Sequence, residues 1–259
     1  MAAVRADERR SDRIREAVLS GHPFGPGRLR ERWHLGGRSG SLRAAIFGLS
    51  DGLVSNLALI LGVAGSGAES NTIVIAGIAG LLAGALSMGA GEYLSMRVQR
   101  EVFEHALEVE SMEIDLLPDD ELRELTDIFA AKGVPRPLAS EAAASLMETP
   151  ERALDIHARE ELGLDPDELG APWGAAFSSF ATFSAGAIVP LMPYLLVRGD
   201  VAFALALTAG GLSLAVVGGF MAHLTSRSIA RGAVRMLAIG LTAAGVTFVI
   251  GKLFGVALA

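Results

Sequence analysis

Asp51 lies near the middle of an apolar run, 42–64, long enough to cross a bilayer. An ionised carboxylate at that depth costs ~2.5 to 3.5 kcal/mol even on lenient insertion scales, so its retention points to a water-filled path or a bound cation. Ser55 shares its helix face at i, i+4. In the next apolar run, Met88 and Glu92 share a face in the same way, offering a thioether and a carboxylate. Met88 also ends a small-residue stripe, Gly77, Gly80 and Gly84, which lets another helix come close. Plain packing accounts equally well for the stripe, and a lone membrane Met is most often packing. Further along, Glu-x-x-Glu recurs three times: Glu101 with Glu104, Glu110 with Glu113, and Glu121 with Glu124. Each spacing puts two carboxylates on one helix face, where pairs from neighbouring helices can share a divalent cation. The alternative is a solvated acidic face. A ferritin-like di-iron centre needs Glu three residues before His, and neither His105 nor His157 has it.

Those residues have to be held by membrane helices. Hydrophobic residues make up 51% of the chain and are blocked into long segments, so most of it reads as membrane protein. Five segments qualify as spans: 42–64, 72–96, 173–197, 201–223 and 233–257. Arg28, Arg30, Arg32, Arg38 and Arg43 precede the first, and Arg227, Arg231 and Arg235 lie between the fourth and fifth. The loop 65–71 has no Lys or Arg. By the positive-inside rule the N-terminus and the long insert after span two are cytoplasmic. The first 32 residues are Arg-rich with no apolar core, unlike a cleavable signal. Four segments follow: a basic N-terminal stretch 1–40, spans one and two at 41–97, an acidic helical insert 98–171, and spans three to five at 172–259. Pro190 and Pro193 in span three free carbonyls one turn earlier.

The acidic character is concentrated in the insert. From Glu92 to Gly170 there are 21 carboxylates against 7 Lys and Arg, a net −14, although the whole chain carries only −7. Such a surface attracts cations and repels nucleic acid. No breaker separates residues 92 and 117, so span two is expected to continue into the insert. Pro118 with Asp119, Asp120 and Glu121 starts a new helix that ends near Lys132-Gly133. Two more are expected at 137–148 and 150–162, the second with Thr149 as N-cap and Gly163 as its stop. With no Cys, any metal must be held by carboxylate, imidazole, thioether, hydroxyl or carbonyl groups, a set that suits hard and borderline divalent cations.

Asp51-Gly52-Leu53-Val54-Ser55 and Ser87-Met88-Gly89-Ala90-Gly91-Glu92-Tyr93-Leu94-Ser95, with several further separated motifs in order, resemble the vacuolar iron transporter family of iron and manganese transporters. The further motifs include Gly-Arg-Ser-Gly at 37–40 and Leu42-Arg43-Ala44-Ala45. Ala158-Arg159-Glu160-Glu161-Leu162-Gly163, Pro190-Leu191-Met192-Pro193 and Arg231-Gly232-Ala233-Val234-Arg235-Met236 continue the likeness over about 34–255. The resemblance implies a homodimer with five spans per subunit and a pore at the subunit interface. It also implies a cytoplasmic domain that gathers metal for export in exchange for protons. Asp51 and Met88 match the family's pore ligands, and Glu92 matches the acidic position where helix two leaves the membrane. Glu110, Glu113, Glu121, Glu124 and Glu161 match the carboxylates of the metal-binding domain. Where plant members carry a Met pair, this chain has His157 and Ala158. His157 is either an imidazole ligand in place of a thioether or a solvated helix residue. Ser50 stands where an Asn is common.

The expected protein is an all-α, five-span membrane protein with a cytoplasmic helical metal-binding domain between helices two and three. Its expected cargo is Fe²⁺ or Mn²⁺, with Zn²⁺ and Co²⁺ as further candidates, and its expected partners are lipid, protons and a second copy of itself. A cell-membrane location follows from the Ala/Gly/Arg-rich composition, which suggests a prokaryote. The alternative is a membrane-anchored metal buffer or sensor that moves nothing. No Ser/His/Asp or His-Glu-x-x-His pattern supports an enzyme.

Overall fold

Inside hydrocarbon every backbone N–H and C=O must be bonded within its own segment, so apolar runs of this length become helices. The computed structural model of the chain describes residues 38–166 and 170–258. The N-terminal stretch 1–40 is therefore almost wholly outside the described residues, as are Asp167 and Glu168. The described residues form eight helices: α1 (Arg38–Gly65), α2 (Ser70–Leu116), α3 (Pro118–Ala131), α4 (Arg136–Leu146), α5 (Pro150–Glu160), α6 (Pro172–Leu196), α7 (Gly199–Leu224) and α8 (Ile229–Leu258). Five of them, α1, α2, α6, α7 and α8, are long and apolar enough to span a membrane.

Helices α1 and α6 form the centre of the membrane part: 44% of the apolar window of each is buried, against 11% for α8. They can sit there because glycine lets their backbones touch. A Cβ on Gly52 would run into the Phe183 carbonyl, and one on Gly186 into the Leu49 carbonyl. This contact brings Asn56 Nδ2 within 2.7 Å of the Ala187 carbonyl, to which it donates. On the other side of α1, Thr247 Oγ1 of α8 donates to the Ala58 carbonyl at 2.6 Å. Leu53, Leu57, Leu61, Leu214 and Ala244 fill the space between α1, α7 and α8. Helix α6 runs on through Pro190 and Pro193 to Leu196.

Helix α2 links the two parts of the molecule. Its 47 residues extend about 70 Å at 1.5 Å per residue, more than twice the ~30 Å of bilayer hydrocarbon, so its charged second half projects beyond the membrane. The continuation read from the sequence is present. One residue, Leu117 (φ −132°, ψ 47°), then turns the chain into α3, which has Pro118 in its first turn and ends beside Lys132. Ile114, Leu125, Ala139, Ala143, Ala153 and Ala158 are buried where α2 to α5 meet. Helix α4 ends at Leu146, two residues short of the expected stop, because Thr149 precedes Pro150 and the chain there must be extended. Thr149 does occupy the N-cap position of α5, yet its hydroxyl makes no capping bond. Gly163, at φ +65°, takes the left-handed conformation that ends α5.

Candidate metal centres

Two sets of potential ligands lie on α2, 22 residues and roughly 33 Å apart along its axis. The first is a cleft of about 240 Å³ between α1, α2 and α6, lined by Asp51, Ser55, Asn56, Leu59, Gly80, Gly84, Ser87, Met88 and Phe183. Asp51 and Met88, paired only by resemblance at the sequence level, face one space. The stripe of glycines explains how. Gly80 faces Leu59 and Asn56, and Gly84 faces the Phe183 ring, so a side chain at either position would fill the cleft. The stripe therefore packs α2 on its own subunit's α1 and α6 while leaving room beside Asp51. Glu92 stands one turn beyond Met88 and is half-buried, but it does not line the cleft.

Asn56 was not singled out from the sequence. It is 2% exposed, and its Nδ2 is committed to the Ala187 carbonyl. A carbonyl can only accept, so the amide orientation is set and Oδ1 points away from α6. Oδ1 has no hydrogen-bond partner among the described residues and lies 3.1 Å from the point where a Gly80 Cβ would stand. A buried acceptor left unpaired costs ~1–3 kcal/mol. The signal for it was present, an amide within an otherwise apolar stretch of a span.

The second set is a cluster. One ligand atom each from Glu110, Glu121, His157 and Glu161 lie within 4.8 Å of one another. Three helices deliver them. Glu110 sits near the end of α2, and the turn at Leu117 folds Glu121, in the first turn of α3, back beside it. His157 and Glu161 are i, i+4 at the end of α5 and share a face. Glu110, Glu121 and His157 are 2%, 6% and 0% exposed, so a solvated face does not describe them, and the reading of His157 as a solvated helix residue is overturned. The cause is packing of α5 on α2. His157 Nδ1 lies 2.9 Å from the Ala153 carbonyl and must donate to it, while Nε2 lies 3.4 Å from the Glu121 carbonyl and 3.7 Å from Glu121 Oε2. An Nδ1–H held by a backbone carbonyl leaves Nε2 directed at the carboxylates, the arrangement a metal-binding imidazole requires.

The electrostatics follow from this crowding. Glu110 is pushed up to about 7, first by burial and then by the Glu161 carboxylate, with Glu121 and Glu113 adding and His157 opposing. Burial also raises Glu121 and Glu161, against His157, with Glu124 and Glu113 contributing to both. One oxygen of Glu110 is buried with no partner among the described residues. Glu113 and Glu124 are exposed and stand at the rim. A divalent cation would supply the positive charge that this group lacks. Glu101 and Glu104 are not brought in: Arg97 pairs with Glu101 at 2.7 Å and Arg100 with Glu104 at 2.6 Å, each one helical turn away.

Residues 42–252 match the model of the VIT family. The chain belongs to the VIT family. It is similar to Vacuolar iron transporter 1 of Arabidopsis thaliana, 31% identical over 212 residues, which cover 82% of this chain and 85% of that protein. Vacuolar iron transporter homolog 5 of Oryza sativa subsp. japonica is 32% identical over 255 residues, 98% of each chain. A Vacuolar iron transporter of Acanthamoeba castellanii is 38% identical over 156 residues, 60% of this chain and 56% of its own length. The VIT family match spans both ligand sets, including all of α2 to α5.

Proposed function

We propose that this VIT-family chain exports Fe²⁺ and Mn²⁺ from the cytosol in exchange for protons. It acts as a homodimer in a prokaryotic cell membrane, with its N-terminus and the α3 to α5 insert cytoplasmic. The observation that carries the reading is that one helix, α2, contributes Glu110 to the carboxylate–imidazole cluster and, 22 residues earlier, Met88 to the cleft it shares with Asp51. Glu110, Glu121, His157 and Glu161, with Glu113 and Glu124 at the rim, gather the cation at the membrane surface. Asp51 and Met88 then offset its loss of water during passage, and Glu92 stands between the two. A second copy placed against the open side of the cleft would enclose the path. Protons on the far side compete for the carboxylate and release the metal there, because a carboxylate must be deprotonated to bind a cation.

The names of the relatives favour iron as the cargo, and the carboxylate set admits Mn²⁺ equally well. Reconstitution in liposomes with an imposed pH gradient tests the whole reading. Metal flux should rise with acid on the side opposite the insert, fall when a protonophore collapses the gradient, and be matched by proton counterflow. Flux indifferent to the gradient would make the protein a uniporter. Saturable binding with no flux at all would make it a metal buffer.

A further inference from the structure

Of the groups in the intramembrane cleft, only Asp51 and Met88 have been given a part in passage. Asn56 has the geometry of a third. Its side chain is almost fully buried, its Nδ2 is tied to α6, and its Oδ1, on the wall that faces Gly80, has no partner among the described residues. Asn56 and Asp51 line the same space. A carboxamide oxygen coordinates hard divalent cations as a neutral ligand, so it adds an oxygen beside Asp51 without a second negative charge in a low-dielectric site. The tie to Ala187 keeps the amide from turning its N–H₂ toward the cleft, where it would repel a cation.

We infer that Asn56 Oδ1 is an oxygen ligand of the ion passing through this cleft, and that it weights the cleft toward hard, oxygen-preferring cations against the soft preference of Met88. This rests on the transport reading above, and it concerns selectivity within the path.

The test uses the full chain in proteoliposomes, with Mn²⁺ as the hard probe and Cd²⁺ as the soft one. Asn56→Leu removes both the oxygen and the donor. Asn56→Asp keeps an oxygen, loses the donor to Ala187 and adds a carboxylate charge beside Asp51. Gly80→Ala leaves the tie intact and sets a methyl 3.1 Å from Oδ1, with only the flexible end of Leu59 to displace. The expected result is a KM for Mn²⁺ raised about tenfold in Asn56→Leu, with the Mn²⁺/Cd²⁺ preference shifted toward Cd²⁺. Asn56→Asp, which keeps an oxygen ligand, should keep the preference for Mn²⁺ over Cd²⁺, and Gly80→Ala should shift the preference in the same direction as Asn56→Leu.

If the amide is merely a tie between helices, Asn56→Leu and Asn56→Asp lose thermal stability alike. Gly80→Ala and whatever folds of the other two then keep the wild-type KM and preference, which overturns the inference. Should Asn56→Leu not fold, the Asn56→Asp and Gly80→Ala measurements decide. Asp51→Asn run alongside separates the two levels. Background flux there with unchanged Asn56 variants removes this inference alone, whereas wild-type flux from Asp51→Asn removes the assignment of the cleft as the path, on which this inference rests.

Discussion

The cleft and the cluster handle charge in opposite ways. The cluster packs three carboxylates and an imidazole within 4.8 Å, most of it buried, and burial, then repulsion from Glu161, lifts Glu110 to about 7. The cleft has one carboxylate among neutral groups, an amide, two hydroxyls and a thioether. Carboxylates at the membrane surface can be charged and discharged by nearby water. Inside hydrocarbon each uncompensated charge costs kilocalories, so neutral ligands have to do most of the coordination. A dense cluster suits capture and a sparse cleft suits release, because an ion held by many charges leaves slowly. The same helix carries both, which makes α2 the element to perturb.

The sharpest way to break this division of labour is Asp51→Asn. Metal flux in liposomes should fall to background while equilibrium binding of Mn²⁺ by the same purified protein, read by calorimetry, stays as in the wild type. Loss of both together would mean that the two sites are not separable. The converse variant, Glu110→Gln with Glu121→Gln, should abolish the tighter phase of Mn²⁺ binding and raise the KM for flux, leaving the maximal rate within a few-fold.

His157→Ala sharpens the account of the cluster. Removing one ligand while the carboxylates stay should weaken Mn²⁺ binding about tenfold, equivalent to ~1.4 kcal/mol. Unchanged affinity would reduce His157 to a packing residue held by Ala153.

The metal-free protein should show the cost of the crowded carboxylates as a pH dependence of its melting temperature. Glu110 holds its proton up to about 7 in the fold, against an ordinary 4.5, so between those values the folded state binds more protons than the unfolded one. Its contribution to stability is then complete below about pH 4.5 and is lost as pH rises through about 7. Chelated protein should melt lower at pH 8 than at pH 5.5, and saturating Mn²⁺ should remove much of the difference. A melting temperature that rises with pH over this range in the chelated protein would contradict the arrangement of charges.

The smallest effect belongs to Glu101 and Glu104. Each is paired with an arginine on the exposed side of α2, a kind of pair worth ~0.2–1 kcal/mol, so Glu101→Gln and Glu104→Gln should leave binding affinity and flux within twofold of wild type. A tenfold loss of binding in either would place it in the capture site after all.

How far each feature could be read in advance depended on whether its cause was local. The five spans, the unbroken run of α2 into the insert and the restart at Pro118 follow from hydrophobic length, the absence of a breaker and proline at a first turn, all properties of neighbouring residues. The three Glu-x-x-Glu pairs looked equivalent because i, i+3 spacing reports only a shared face. Neutralisation of the first pair by Arg97 and Arg100 is local to α2, whereas which of the others turned inward depended on where α5 packed. Thr149 shows the same limit at smaller scale, since its position was legible and its missing capping bond was not.

What the sequence determined by itself was the membrane class, the helix order, the acidic insert and the membership of Asp51 and Met88 in one motif-bearing family, since these depend on composition and order along the chain. Tertiary structure alone decided that Asn56 has a buried oxygen with no partner and that His157 is sealed among carboxylates. It also decided that Glu101 and Glu104 stay outside. The first two are set by contacts across α1–α6 and α2–α5 between residues far apart in the chain, whereas the arginine partners of Glu101 and Glu104 are local to α2; whether a polar group is satisfied depends on which partners such contacts supply.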